Sequence, residues 1–158
     1  MAGRKTKEGR HILLRFALVI YGVLMLWLLF GQRLGNQSDA PYWEALLGNL
    51  NLQPTHTIQR YIHLLQGDYS SYLKQHAFIN LFGNVIMFVP LGVLLPGIWK
   101  RMRQFWVFLF SGIGIILAIE LIQLFTLLGS CDVDDLLLNI VGISIGFVMR
   151  KWLFDRKK

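Results

Sequence analysis

Residues 105–128 read FWVFLFSGIGIILAIELIQLFTLL, an apolar run interrupted near its far end by Glu120 and Gln123. Crossing a bilayer takes about 20 mostly apolar residues in a helix rising 1.5 Å at each step. This stretch is long enough to span and apolar around most of its circumference. Two others match it. Residues 12–30 read ILLRFALVIYGVLMLWLLF, with Arg15 close enough to the start to snorkel out, and 77–99 read AFINLFGNVIMFVPLGVLLPGIW. A fourth, 136–154, reads LLLNIVGISIGFVMRKWLF; Arg150 and Lys151 shorten its apolar core, and its helix is expected to start near Val133. The expected fold is an all-α membrane protein, a bundle of four transmembrane helices at 12–30, 77–99, 105–128 and 133–154. One domain then fills 12–154, with an outer loop at 31–76, a basic flank at 1–11 and a basic tail at 155–158.

Composition points the same way. The chain has 158 residues, 54% of them hydrophobic and 16% charged, against roughly 25% charged in a soluble domain. Its 16 Lys and Arg against 9 Asp and Glu give a formal charge of +7, a value that would suit a nucleic-acid binder. Placement removes that reading, because the charges sit in short flanks between long apolar runs. Disorder, a disulfide framework and a collagen-like fibre are excluded on composition. The single cysteine, Cys131, permits no intrachain disulfide.

The basic residues set the direction of the spans. Arg4, Lys5, Lys7, Arg10 and Arg15 precede the first. Lys100, Arg101 and Arg103 join the second to the third, and Arg150, Lys151, Arg156, Lys157 and Lys158 follow the fourth. The other side keeps Arg33, Arg60 and Lys74 beside Asp39, Glu44, Asp68, Asp132, Asp134 and Asp135. Basic loops stay in the cytoplasm, so both termini are expected there, in a multi-pass protein of the bacterial cytoplasmic membrane. Trp99, Trp106 and Trp152 flank the basic segments at headgroup depth.

The first span also resembles a signal peptide, with Ser38-Asp39-Ala40 as a small-residue cleavage site; its length and Pro41 favour a retained anchor. Asn36-Gln37-Ser38 matches a glycosylation sequon, which chance explains as well. In the outer loop, Ile58, Tyr61, Ile62 and Leu65 fall at helical spacing opposite Gln59, Arg60, His63 and Gln66. Two readings are open: an amphipathic helix lying on the bilayer surface, or a segment packing its apolar residues on the bundle. His56 and His63 could share a face, but two imidazoles without a third ligand do not make a metal site.

The informative residues are polar ones where lipid should be. An acid at mid-membrane costs about 2.5–3.5 kcal/mol on insertion scales and normally faces protein or water. Glu120 and Gln123 share a face of the third span; Asn80 and Asn84 continue a stripe from His76 on the second; Asn139 lies one turn after Asp135 on the fourth. Helical rise puts Asn84, Glu120 and Asn139 roughly 9–12 Å below the outer surface, a level at which they could meet inside the bundle. Gly142 and Gly146 give a close-approach ridge, Gly114 and Ala118 a similar one, and Pro90 is expected to kink the second span where a cavity opens. Asp132, Asp134 and Asp135 crowd the start of the fourth span. Capping of that helix accounts for one or two of them and leaves Asp135, aimed along the face of Asn139. The plainer account of the whole set is a buried hydrogen-bond clamp between helices.

At these residues the chain resembles the VanZ-like family, bacterial membrane proteins named for a teicoplanin-resistance protein. Asn51-Leu52-Gln53-Pro54 with Thr57, Ile58 and Tyr61 resembles the family's segment before the second span. Asn84 through Phe88, Pro90 and Gly92 resembles its N-x-x-x-F-x-P-x-G helix. Glu120-Leu121-Ile122-Gln123 resembles its E-x-x-Q, and Asp132-Val133-Asp134-Asp135 with Asn139 and Gly142 its D-[IV]-D-D-x-x-x-N-x-x-G. Many members carry a basic residue shortly before the acidic run; Leu128-Gly129-Ser130-Cys131 offers none here. The resemblance implies a cell-envelope protein connected with glycopeptide tolerance and implies no reaction.

Three functions follow as expectations. The first is a polar pocket open to the outer leaflet, with Asn80, Asn84, Glu120, Gln123, Asp132, Asp134, Asp135 and Asn139 as ligand-binding residues. Its ligands would be membrane lipids, a cell-wall precursor lipid or the acyl tail of a lipoglycopeptide, with no cofactor and no nucleic acid. The second is a membrane-embedded hydrolase or transferase acting on a lipid-linked substrate, with Glu120 and Asp135 as acid–base or metal-ligand groups. The third, a proton-coupled carrier, would need a homo-oligomer, because four spans without inverted repeats are few.

Overall fold

The computed structural model of the protein describes residues 2–31 and 40–152, with the side chains of the first helix described from residue 8 onward. Arg33, the sequon at Asn36, the cleavage segment at Ser38 and Asp39, and the tail with Arg156, Lys157 and Lys158 lie outside the described residues. Within them the helices are α1 (Ala2–Phe30), α2 (Tyr42–Gly48), α3 (His56–Gln66), α4 (Ser71–Ile98), α5 (Phe105–Phe125) and α6 (Val133–Arg150). Two short strands, β1 (Leu50–Asn51) and β2 (Cys131–Asp132), pair in parallel, and a 3-10 turn at Lys100–Arg103 links α4 to α5.

Among the described residues three helices are long and apolar enough to cross a membrane: α1 from Glu8, α4 and α5. α6 is not among them, since it carries Asp134 and Asp135 in its first turn and Arg150 in its last. The helix ends differ from the expected spans for local reasons. α4 starts earlier, at Ser71, where Ser70 Oγ accepts the Leu73 amide at 3.5 Å. α5 stops at Phe125, because Leu127 turns to a positive φ of 55° and Thr126 Oγ1 donates back to the Ile122 carbonyl at 2.6 Å.

α4 is the hub. α6 lies along one side of it, α5 packs mainly on α6 while also meeting α4, and α1 lies against another face of α4. The core joins Phe88, Leu91 and Leu95 of α4 to Phe108 and Ile116 of α5, Ile143 and Phe147 of α6, and Met25 of α1. Phe108 and Phe147 stack with ring centroids 4.6 Å apart. Between α4 and α6 the backbones themselves touch. A Cβ on Gly142 would overlap the Val85 carbonyl, one on Gly146 the Val89 carbonyl, and one on Gly92 the Ile143 carbonyl. The expected Gly142/Gly146 ridge is thus the contact surface, with Gly92 answering it from α4. The Gly114/Ala118 ridge is a different matter. Both residues are exposed, with nothing near a Cβ at Gly114, and the glycine that α5 turns to α6 is Gly112.

α1 is held lightly. Ile12, Leu13, Phe16, Val19, Val23 and Leu26 are each more than half exposed, an apolar face that water would not tolerate and lipid would. Its attachments include Tyr21, whose hydroxyl donates to the Met87 carbonyl at 2.8 Å, and Leu29, whose carbonyl accepts from Gln123 Nε2 at 3.3 Å. Tyr21 thereby ties α1 to the turn of α4 that precedes Pro90. The amphipathic stretch of the outer loop is α3. Ile58, Tyr61, Leu64 and Leu65 are half-buried, and the helix packs on α4 and touches α6.

Gly142→Leu should break the α4–α6 contact. Overpacking costs about 1–3 kcal/mol where neighbours can move, and carbonyls of a packed helix move little. Thermal unfolding in detergent should show a clear drop in Tm or loss of the monodisperse species. Gly114→Leu, facing outward, should leave both unchanged.

Candidate functional site

The acidic turn is built by chain pairing before any side chain acts. Leu50 pairs with Cys131 and Asn51 with Asp132, and the Cys131 amide donates to the Asn49 carbonyl at 2.9 Å. This parallel bridge brings the segment before α3 against the entrance to α6. Asp132 then uses both oxygens. Oδ1 accepts the Asp134 amide at 2.8 Å, capping α6, while Oδ2 accepts from Asn51 Nδ2 at 3.0 Å and Thr57 Oγ1 at 2.7 Å.

Asp134 caps a helix other than its own. Its carboxylate accepts the backbone N–H of Thr55 and, at 3.0 Å, that of Ile58. Thr55 sits at the N-cap of α3 with φ 66°, left-handed backbone that a β-branched residue rarely adopts, and its hydroxyl makes no cap bond. An N-cap side chain ordinarily accepts the N–H three residues on. Asp134 takes over that bond from across the bundle, and its negative charge meets the positive end of the α3 dipole. With 0% exposure, it is the most deeply buried of the predicted residues.

The other predicted residues meet in separate pairs. Asn84 Nδ2 donates to Asp135 Oδ1, joining α4 to α6. Asn139 Nδ2 points to Glu120 Oε1 at 3.5 Å, joining α6 to α5; the two residues are 3% and 4% exposed. Asn139 Oδ1 accepts no hydrogen bond among the described residues. Asp135 and Asn139 are four residues apart, so the two pairs are stacked about 6 Å from each other along α6. Gln123 is buried and turned towards α1. Asn80 folds back onto its own helix, donating to the His76 carbonyl at 2.8 Å.

A cavity of about 630 Å³ opens between α1 and α4. Leu24, Met25, Leu28, Ile79, Ile86 and Met87 make its walls, Gly83 leaves its floor clear, and Asn80, Asn84 and Tyr21 give it a polar border. Of the predicted residues, Asn80 and Asn84 line it. Glu120, Gln123, Asp132, Asp134 and Asn139 are packed between elements, and Asp135 reaches the cavity through Asn84. Asn51, Thr57 and Tyr21 were missing from the predicted set, although Asn51 and Thr57 stand in the segment before the second span already singled out. Their role depends on Asp132, more than seventy positions away.

The histidines do not meet. His63 Nδ1 lies 3.2 Å from the Tyr69 hydroxyl, and His56 is exposed. Among the described residues no three His, Cys, Asp or Glu side chains gather as a metal site would require. Burial pushes the Cys131 thiol above its ordinary pKa, and the charges of Glu120 and then Asp132 push it further.

Long apolar helices, a lipid-suited outer face and acids tied into an end cap define a helical membrane protein. The chain belongs to the VanZ/LLP1 family, whose model matches residues 16–154, nearly its whole length. No curated protein and no solved structure matches it.

Asp134→Ala should expose the start of α3. Loss of a cap costs about 1–2 kcal/mol, so the Thr55 and Ile58 amides should exchange hydrogen about tenfold faster, with α4 and α5 unchanged. Glu120→Gln should lower the Cys131 pKa, raise its thiolate fraction at fixed pH and speed alkylation. An unchanged rate would mean that Glu120 does not influence the thiol.

Proposed function

We propose that this is a four-span protein of the bacterial cytoplasmic membrane, with both termini cytoplasmic, that binds the acyl portion of a membrane amphiphile in the α1–α4 cavity. The observation that carries the reading is the character of that cavity: apolar walls with a few convergent polar groups, the usual make-up of a ligand site. The acyl chain would lie against Leu24, Leu28 and Ile86, with the polar portion of the ligand towards Asn80 and the Asn84–Asp135 pair. A cell-wall precursor lipid or a lipoglycopeptide has this two-part chemistry, and through it the protein would contribute to glycopeptide tolerance.

The grouping of helix ends supports the topology. The carboxyl ends of α1 and α5 lie together through Gln123 and the Leu29 carbonyl, beside Tyr42 of α2, whose hydroxyl donates to the Phe125 carbonyl at 3.0 Å. At the opposite end Pro96, Arg103 and Arg150 border one space. An up-and-down order with the cations at one end follows naturally, and α6, about 27 Å long, nearly matches the roughly 30 Å hydrocarbon core.

Gly83 provides the test, because a Cβ there meets nothing closer than Ile79 Cγ2 at 3.9 Å and a larger side chain would fill the cavity. In nanodiscs, Gly83→Leu should weaken binding of a lipoglycopeptide about tenfold, the effect of denying the ligand one or two buried methylenes. The deacylated compound should bind poorly to either form, and Asp135→Asn should reduce protection of a susceptible host. Wild-type binding and protection by both variants at normal expression would remove the proposal.

A further inference from the structure

The two short helices between α1 and α4 turn opposite chemistries outward. α3 exposes mostly polar side chains, Gln59, Arg60, His63 and Gln66 among them, which suit water. α2 exposes Trp43 at 69% and Leu47 at 65%, four residues apart and so on one face, with the half-exposed Tyr42 beside them. Its buried residue is Leu46, so that side of the helix faces the bundle. We propose that the Trp43–Leu47 face of α2 is seated in lipid, at the boundary between headgroups and acyl chains beside the carboxyl end of α5. The seat requires that α5 crosses the bilayer. It does not depend on the ligand of the α1–α4 cavity or on which side of the membrane α2 lies.

Depth is set by α5. Its 21 residues span about 30 Å, the thickness of the roughly 30 Å hydrocarbon core. The basic 3-10 turn Lys100–Arg103 stands at one end of it, so Phe125 falls at the opposite edge of the hydrocarbon. The Tyr42 hydroxyl donates to the Phe125 carbonyl at 3.0 Å and holds the start of α2 at that level. At the other end of α2, the Asn49 carbonyl accepts the Cys131 amide at 2.9 Å. The lipid-suited surface of α5 runs up to the same place, with Ile122 52% and Phe125 58% exposed. Tyr42 joins that surface to α2, since its ring packs edge-on against Trp43 with centroids 5.4 Å apart.

Indole and phenol rings, apolar in body and polar at the tip, favour this boundary. The charged side chain of α2 is Glu44, and the helix carries no cation, so attraction to anionic headgroups does not hold it there. Burial of apolar surface does. The seat fixes the height of β1 relative to the bilayer, and through the bond from Asn51 to Asp132 the height of the acidic turn.

The full-length protein with Trp27→Phe, Trp99→Phe, Trp106→Phe and Trp152→Phe keeps Trp43 as its one indole and would be placed in phosphatidylcholine nanodiscs holding a single copy. Bromines high on the acyl chains should cut its emission about twofold, and bromines near the chain ends less, with iodide in the water having little effect. A second measurement keeps every tryptophan. In a Cys131→Ser background, Leu47→Cys should react with a charged, membrane-impermeant maleimide about tenfold more slowly than Gln59→Cys on α3. Trp43 open to iodide, or equal rates at 47 and 59, would put the face in water and overturn the proposal. Trp43 shielded from iodide yet unquenched by either brominated lipid would overturn it as well, the result expected if residues 32–39 of this chain cover α2. Quenching lost when each disc holds two copies would assign the face to a second copy instead of lipid.

Discussion

The approach of α4 and α6 backbone to backbone is the contact on which the other placements depend. Lipid tails are as apolar as leucine, so membrane helices gain little from burying hydrophobic surface and rely on close packing and hydrogen bonds. Gly92, Gly142 and Gly146 remove the side chains that would hold the two helices apart. With that distance fixed, Asn84 reaches Asp135, Ile143 meets Gly112 of α5, and Asn139 is carried to Glu120. A wider spacing would leave these polar groups facing hydrocarbon, where each is costly.

The acidic turn solves a different problem, the fixing of an outer segment too short for its own core. Bridge pairing sets the register, and two buried carboxylates then turn three oxygens to donors in β1 and the start of α3, while the fourth, Asp132 Oδ1, caps α6 itself. Asp134 is the unusual member, because it secures a helix whose own N-cap residue has turned to a left-handed conformation. The strain at Thr55 is offset by bonds that arrive from α6. The clamp account therefore describes Asp132 and Asp134 well. Asp135 differs from them, since its partner Asn84 borders the large cavity and links the cap to a space of ligand size.

α1 completes the arrangement with few attachments. Tyr21 and the Leu29 carbonyl supply two of them, and between them the helix stands off α4 enough to leave the cavity open. Under the proposed binding role, a lightly held helix beside this cavity would admit a ligand from the side, since parting α1 from α4 disrupts little of the core.

The sequence by itself determined the apolar helices, the helix starting at Val133 and the amphipathic stretch that is α3. These follow from composition and from period, which each segment carries alone. The glycine ridge of α6 was legible for the same reason. The ridge of α5 was legible too, but was read on the wrong face: Glu120 and Gln123 point inward with Ile116, Gly112 and Phe108, so Gly114 stands about 200° from Gly112 around the helix. Only the tertiary structure decided that Asp134 caps α3, that Asn51 and Thr57 serve Asp132, and that the polar residues meet in stacked pairs with the cavity beside them. Those facts depend on rotations and spacings between helices, set by contacts among residues far apart in the chain, and no local period encodes them.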